Sequence, residues 1–149
     1  MNMKLVVLCL LAVCCSSLAN ASTIRGDKTL QRKKLREVKN LLAEVRGTLR
    51  HSELTLHTPP QNIEDCCSMS ALQCYRANLQ VFNSQDRKMS KLIKSLNSHI
   101  TVRGLDFCDS GAAEPNCTEC HLHPKENANE FFNRLESFIQ KAITRLTVD

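Results

Sequence analysis

Six cysteines fall between residues 66 and 120, two of them adjacent: Cys66, Cys67, Cys74, Cys108, Cys117 and Cys120. No other feature of the sequence limits the fold as much. The other three, Cys9, Cys14 and Cys15, lie in a stretch with the form of a secretory leader. Lys4 gives it a positive start, Leu5 to Val13 is apolar, and Ala19-Asn20-Ala21 is a small-x-small cleavage site. The apolar run is shorter than the roughly 20 residues a membrane-spanning helix needs, so no membrane insertion is expected. The reading is a signal peptide over 1–21 and one secreted, extracellular domain over 22–149. In an oxidising compartment the even set of cysteines then forms disulfides.

Spacing narrows the pairing. Cys67 and Cys74 lie seven residues apart, on one face of a helix and roughly 10 Å apart along it. Cys117 and Cys120 lie three apart, which in a loop also spans roughly 10 Å. Two rungs, Cys67–Cys117 and Cys74–Cys120, would pin one segment to the other. Cys66 points about 100° away from Cys67 around the helix, and Cys108 is the partner left for it. This is a geometric preference, and other pairings of six cysteines stay open.

Apolar residues recur at helical spacing in four segments, and no sustained period of two appears after the leader, which predicts an all-α domain. Val38, Leu41, Leu42, Val45 and Leu49 form the first stripe, with Gly47 weakening its end. The second runs from about Cys67 to Phe82 through Leu72, Tyr75 and Leu79, with Asp65 or Ser68 as candidate cap. Asn83 to Asp86 interrupt the pattern. Met89, Leu92, Ile93, Leu96 and Ile100 resume it as one third helix, stopping at Arg103-Gly104. Asn127 and Glu130 read as a capping box ahead of Phe131, Phe132, Leu135, Phe138, Ile139, Ala142 and Leu146. The connections run long, short, long. Long first and third connections let the chain cross the bundle end to end, giving an up-up-down-down four-helix bundle stapled by disulfides. Thr58-Pro59-Pro60 suits an extended crossover.

The chemistry is sparse. There is no Gly-rich phosphate loop, no His-Glu-x-x-His and no nucleophile elbow, so no catalytic residue and no enzyme is expected. With no Trp and one Tyr, the chain lacks the aromatic platforms of a single-strand nucleic-acid binder. His51, His57 and His99 read as solvated surface residues. Cys117-x-x-Cys120-His121 matches a c-type haem attachment signature and gives a rival reading as a secreted haem bundle. A zinc site at Cys117, Cys120, His121 and His123 would need reduced sulfur; no metal and no cofactor is expected. Asn116-Cys117-Thr118 is a glycosylation sequon. The formal net charge is +5, with Arg32, Lys33, Lys34, Arg36 and Lys39 crowded into one region. Such a cluster favours an acidic protein surface or a sulfated glycan.

Two blocks add a family. Pro60 to Cys74, PQNIEDCCSMSALQC, together with Cys117-x-x-Cys120 and the run Glu130 to Ile143, EFFNRLESFIQKAI, resembles the interleukin-21 branch of the interleukin-2, interleukin-15 and interleukin-21 family of short-chain four-helix cytokines. Cys117-Thr118-Glu119-Cys120 suits the interleukin-15 branch nearly as well, whereas the compact leader, the Pro60 spacing and Gln140 to Ile143 favour interleukin-21. An interleukin-15- or interleukin-2-like cytokine is thus the near alternative. The resemblance implies a monomer that engages two type I cytokine receptor chains, a private receptor and the common gamma chain. It places the private-receptor contact on Arg32, Lys33, Lys34 and Arg36 of the first helix and Lys94 of the third, and the gamma-chain contact on Gln140 and Ile143. It also implies the same two disulfide rungs.

Overall fold

The computed structural model describes residues 3–49, 51–82, 86–109 and 115–148, with side chains described from residue 26 onward. Along the chain lie α1 (Met3–Thr48), β1 (Thr55–His57), a 3-10 turn (Asp65–Cys67), α2 (Ser68–Leu79), α3 (Arg87–Leu96), α4 (His99–Leu105), a second 3-10 turn (Cys120–Leu122), β2 (Lys125–Asn127) and α5 (Ala128–Thr147). The leader predicted over 1–21 lies within or before α1, and its side chains are outside the described residues.

Side-chain pairings fix the directions. Arg46 reaches Asn129, Asn133 and Glu136 while Lys39 reaches Gln140, so α5 runs antiparallel to α1. Arg103 pairs with Asp27 midway along α1, and Lys91 and Lys94 line a groove with Lys34 and Leu41 closer to its C-terminal end, so α4 and α3 also descend past α1. Ser68 accepts from the Phe107 N–H, and Arg76 donates to Asn97, which sets α2 antiparallel to α3 and α4. The result is up-up-down-down. The two crossovers meet as β1 and β2, paired antiparallel with Leu56 opposite Glu126.

The stripes read from the sequence supply most of the core: Val38, Leu42 and Val45 from α1, where Leu35 joins them and Leu41 and Leu49 are only partly buried, Leu72, Tyr75 and Leu79 from α2, Met89, Leu92 and Leu96 from α3, and Phe131, Phe132, Leu135 and Ile139 from α5. Tyr75 meets Phe131 edge-on at 5.4 Å between centroids. Burial pushes its phenol pKa up, against a smaller opposing pull from Arg134.

Three local expectations need correction. The third helix is broken: α3 ends at Leu96, Ser98 is extended, and α4 begins at His99. Asn97 is the cause, because its side-chain amide donates to the Ile93 carbonyl at 2.9 Å and closes the helix as short polar side chains do. The break turns Thr101 and Leu105 inward and leaves Ile100 half-exposed. It also brings Gly104 so close to α1 that a Cβ there would sit 3.0 Å from Leu35 Cδ1. Neither Asp65 nor Ser68 caps α2. Ser68 serves the Phe107 N–H at 3.1 Å and Asp65 serves Lys141 and Arg145. At α5 half of the capping box forms: Asn127 accepts from the Glu130 N–H at 2.8 Å, but the Glu130 carboxylate turns to Arg134 at 2.9 Å.

Candidate functional site

The basic cluster of α1 does not form one face. At about 100° per residue, Arg32, Arg36 and Lys39 share the stripe that ends at Arg46, on the flank toward α5, whereas Lys34 lies roughly 200° from Arg32 on the flank toward α3. Lys33 lies between them on the outer surface. Exposure follows this arc: Lys33 and Arg36 are exposed, Arg32 and Lys34 half-buried. The crowding in sequence therefore becomes a fan in space, because consecutive helical residues diverge.

Each flank opens onto a seam. On the α3 side, Lys34, Glu37, Leu41, Lys91, Lys94 and Ser95 line a groove. Lys34 pairs with Glu37 at 3.4 Å, which leaves Lys91 and Lys94 as its exposed cations without a described acidic partner. Lys91 escaped the sequence reading, although its three-residue step from Lys94 places both on one helix face. On the α5 side, Lys39, Gln140 and Thr144 share an opening with Lys141 and Arg145. Lys39 donates to Gln140 Oε1 at 2.8 Å, and Gln140 Nε2 donates to Thr144 at 3.3 Å. The Gln140 amide is thus held in one orientation before any partner arrives.

Gln140 and Ile143 part company. Gln140 is exposed, but Ile143 is 6 % exposed and belongs to the core. The bundle turns Ile143 inward beside Ala142 instead of leaving it at the margin of the stripe. Lys141 and Arg145 are tied down as well. Both stack on the Phe107 ring, at 5.1 and 4.8 Å from its centroid, and both reach Asp65, at 3.2 and 3.0 Å. The Arg145 hydrogen bond, partly offset by burial and helped by Lys141, holds the Asp65 carboxyl below its ordinary range.

The crossovers explain the cysteines. Cys66 joins Cys108, Cys67 joins Cys117, and Cys74 joins Cys120: the two rungs the spacing favours, together with the pair left over from them. Both sulfurs of the haem-like motif are therefore consumed, and His121 is exposed beside Glu119 at 3.4 Å, so neither haem attachment nor a zinc site through these sulfurs fits. Asn116 is exposed next to the second rung. His51 and His99 are exposed, but His57 is half-buried, its Nδ1 2.8 Å from the His123 carbonyl oxygen. β1 draws it in, because the His57 N–H is bound by Asn78 of α2 at 3.2 Å. Asn78 is the buried hub here, accepting from His57 through Oδ1 while its Nδ2 donates to the Cys74 carbonyl at 2.9 Å and lies 3.3 Å from Cys120 Sγ. Among the described residues no group of three potential metal ligands gathers, and no helix is long and apolar enough to cross a membrane.

A family model described as Interleukin 15 matches residues 6–144, almost the full chain. The matched span takes in α2, α3 and α4, all but the ends of α1 and α5, and every cysteine of the three cystines. An up-up-down-down bundle, with its crossovers paired as strands and bolted to α2, is thus joined to a match along the sequence, and the chain belongs to the interleukin-15 family of signalling cytokines, of the interleukin-2 and interleukin-15 type.

Proposed function

We propose that the protein is a secreted cytokine that brings a private type I receptor chain and the common gamma chain together on a cell surface. The observation that supports this best is the pair of polar seams on opposite flanks of α1, one lined by Lys34 and Lys94, the other by Lys39, Gln140 and Thr144. A ligand without catalytic groups acts by changing what lies next to what, and two separated docking faces on one rigid body do that. In this reading the private receptor is met by Lys33, Lys34, Arg36 and Lys94, with Arg32 toward the α5 edge, and basic charge steers the encounter. The gamma chain is met by Gln140 and its neighbour Thr144, with Ile143 acting from beneath as packing. Asn116 receives a glycan on the crossover. The family match is equally at home with an interleukin-15- or interleukin-2-like cytokine, while the blocks around Cys67 and Gln140 favour the interleukin-21 branch.

Gln140→Asp tests the arrangement at an exposed position where folding is spared. Binding to the private receptor ectodomain, measured by surface plasmon resonance, is expected to hold while signalling in responsive cells drops by ten-fold or more. Wild-type potency in the Gln140→Asp protein would show that the second face is wrongly placed. Charge reversal at Lys33 and Arg36 is the converse test and should weaken private-receptor binding.

A further inference from the structure

The outer surface of α3 is charged beyond what its fold uses. The helix reads RKMSKLIKSL, with Arg87, Lys88, Lys91 and Lys94 all exposed and no acidic residue within it. Among the described residues none of these four side chains has an acidic partner. Asp86 accepts from the Lys88 backbone N–H at 2.9 Å as the N-cap, and Glu37 across the seam is taken by Lys34. The spacing is self-repelling: Arg87 and Lys91 are four apart, Lys88 and Lys91 three, and Lys91 and Lys94 three, all steps that bring like charges together on a helix surface. Two of the four also stand in the first turn, where cations oppose the helix dipole. Lys94, in the last turn, is favoured by the same dipole, so the cost to the isolated domain falls on Arg87, Lys88 and Lys91.

We infer that the outer face of α3 is a binding track for a sulfated polysaccharide, with Arg87, Lys91 and Lys94 as its main row and Lys88 beside it. The row extends over about 10 Å along the helix, a linear array that a linear polyanion can follow. A protein partner fits it less well. Protein interfaces centre on buried aromatic or apolar anchors, and here Met89, Leu92 and Leu96 are committed to the core and Ile93 is packed half-buried against it, so the exposed residues within the helix are the four cations and Ser90. A polyanion needs no such anchor, since neutralising a row of charges and releasing counterions supplies the driving force. Clustered basic residues of this kind are a recognised heparin signature. The assignment goes beyond the receptor reading and shares Lys94 with it, while Lys91 lines the same seam.

The test uses the full folded protein on immobilised heparin with a salt gradient, comparing Arg87→Gln/Lys91→Gln/Lys94→Gln with a charge-matched control, Lys33→Gln/Arg36→Gln/Lys125→Gln. Glutamine keeps helix propensity. The α3 variant is expected to elute at clearly lower salt than the control, with the slope of log affinity against log salt reduced by about 3, near one per lost contact. Soluble heparin should raise the thermal midpoint of the native protein and not that of the α3 variant. Without heparin the α3 variant should melt at or above the native midpoint, because repulsion has been removed. Equal elution shifts in the two triple variants, or retention on duplex DNA as strong as on heparin, would overturn the track in favour of net charge alone. The single change Lys91→Gln gives the same comparison at smaller amplitude should the triple variant fold poorly.

Discussion

α1 and α2 run in the same direction through one bundle, yet they are held by different means. α2 is a 12-residue helix whose buried face includes the polar Ser68 and Asn78 beside Ala71, Leu72, Tyr75 and Leu79. Three disulfides start in it or in the turn that opens it, and all lead to the second crossover. The part of α1 with described side chains has no cystine and relies on Leu35, Val38, Leu42 and Val45, flanked by the Lys39 and Arg46 contacts to α5. A short helix with a mixed face buries too little apolar area to fix two long crossovers, so covalent closure does it instead. A long helix with a continuous stripe needs no such help and leaves its outer arc free for partners.

The largest effect that tests this contrast is removal of one rung. Cys74→Ala with Cys120→Ala opens a closure of 46 residues, which the chain-entropy account values at about 4 kcal/mol. Chemical denaturation should show a loss near that size. Hydrogen exchange should show protection lost first around β1, β2 and α2, with α1 and α5 retaining theirs. Simultaneous loss in α1 would mean that the two halves form a single unit and that the contrast is false.

A smaller effect is expected from the other half. Leu42→Ala removes a side chain that is 1 % exposed, costing about 3 kcal/mol through lost burial and the cavity left behind. Because α1 depends on packing, that cost should be nearly the same in oxidised protein and in protein lacking the Cys74–Cys120 rung. Additivity of the two changes, measured as a double-mutant cycle, is the check, and a coupling above about 0.5 kcal/mol would show that packing and cystine support the same element.

What was legible in the sequence follows the same division. The long stripes of α1 and α5 give their helices and core faces directly, since an i, i+3, i+4, i+7 pattern has one structural solution. The cysteine spacing gives the rungs because a seven-residue helical step and a three-residue loop step happen to match in length. Events at the crossovers were not legible. The pairing of Thr55–His57 with Lys125–Asn127 is too short and too polar to show a period of two, and the burial of His57 follows from it. The break at Asn97 was not legible either, because the apolar residues on both sides of it continue at helical spacing. The spatial arrangement of the candidate site residues was also not legible. Arg32 to Lys39 look like one patch when written in a line, and only the helix geometry shows them fanned around α1. Ile143 looked spare until Ala142 and Ile143 were seen to be buried together.

The smallest effect concerns the clasped half alone and is read through pH. His123 is buried at the junction of the second crossover with β1, and its pKa is lowered, first by burial and then by the nearby His57. A histidine with a depressed folded pKa is protonated more readily in the unfolded chain. Its contribution to stability is therefore complete above the ordinary value of 6.5 and is lost as pH falls below it. Asp65 is also shifted downward, so its contribution fails only in the more acidic range below 3.8. Between those two values the histidine junction adds a slope, a fall in thermal midpoint as pH decreases. In His123→Gln that slope should flatten while the response below 3.8 remains, and Asp65→Asn should do the reverse. Parallel native and His123→Gln curves would mean that the crossover junction admits the proton without opening, and that the three cystines alone hold it shut.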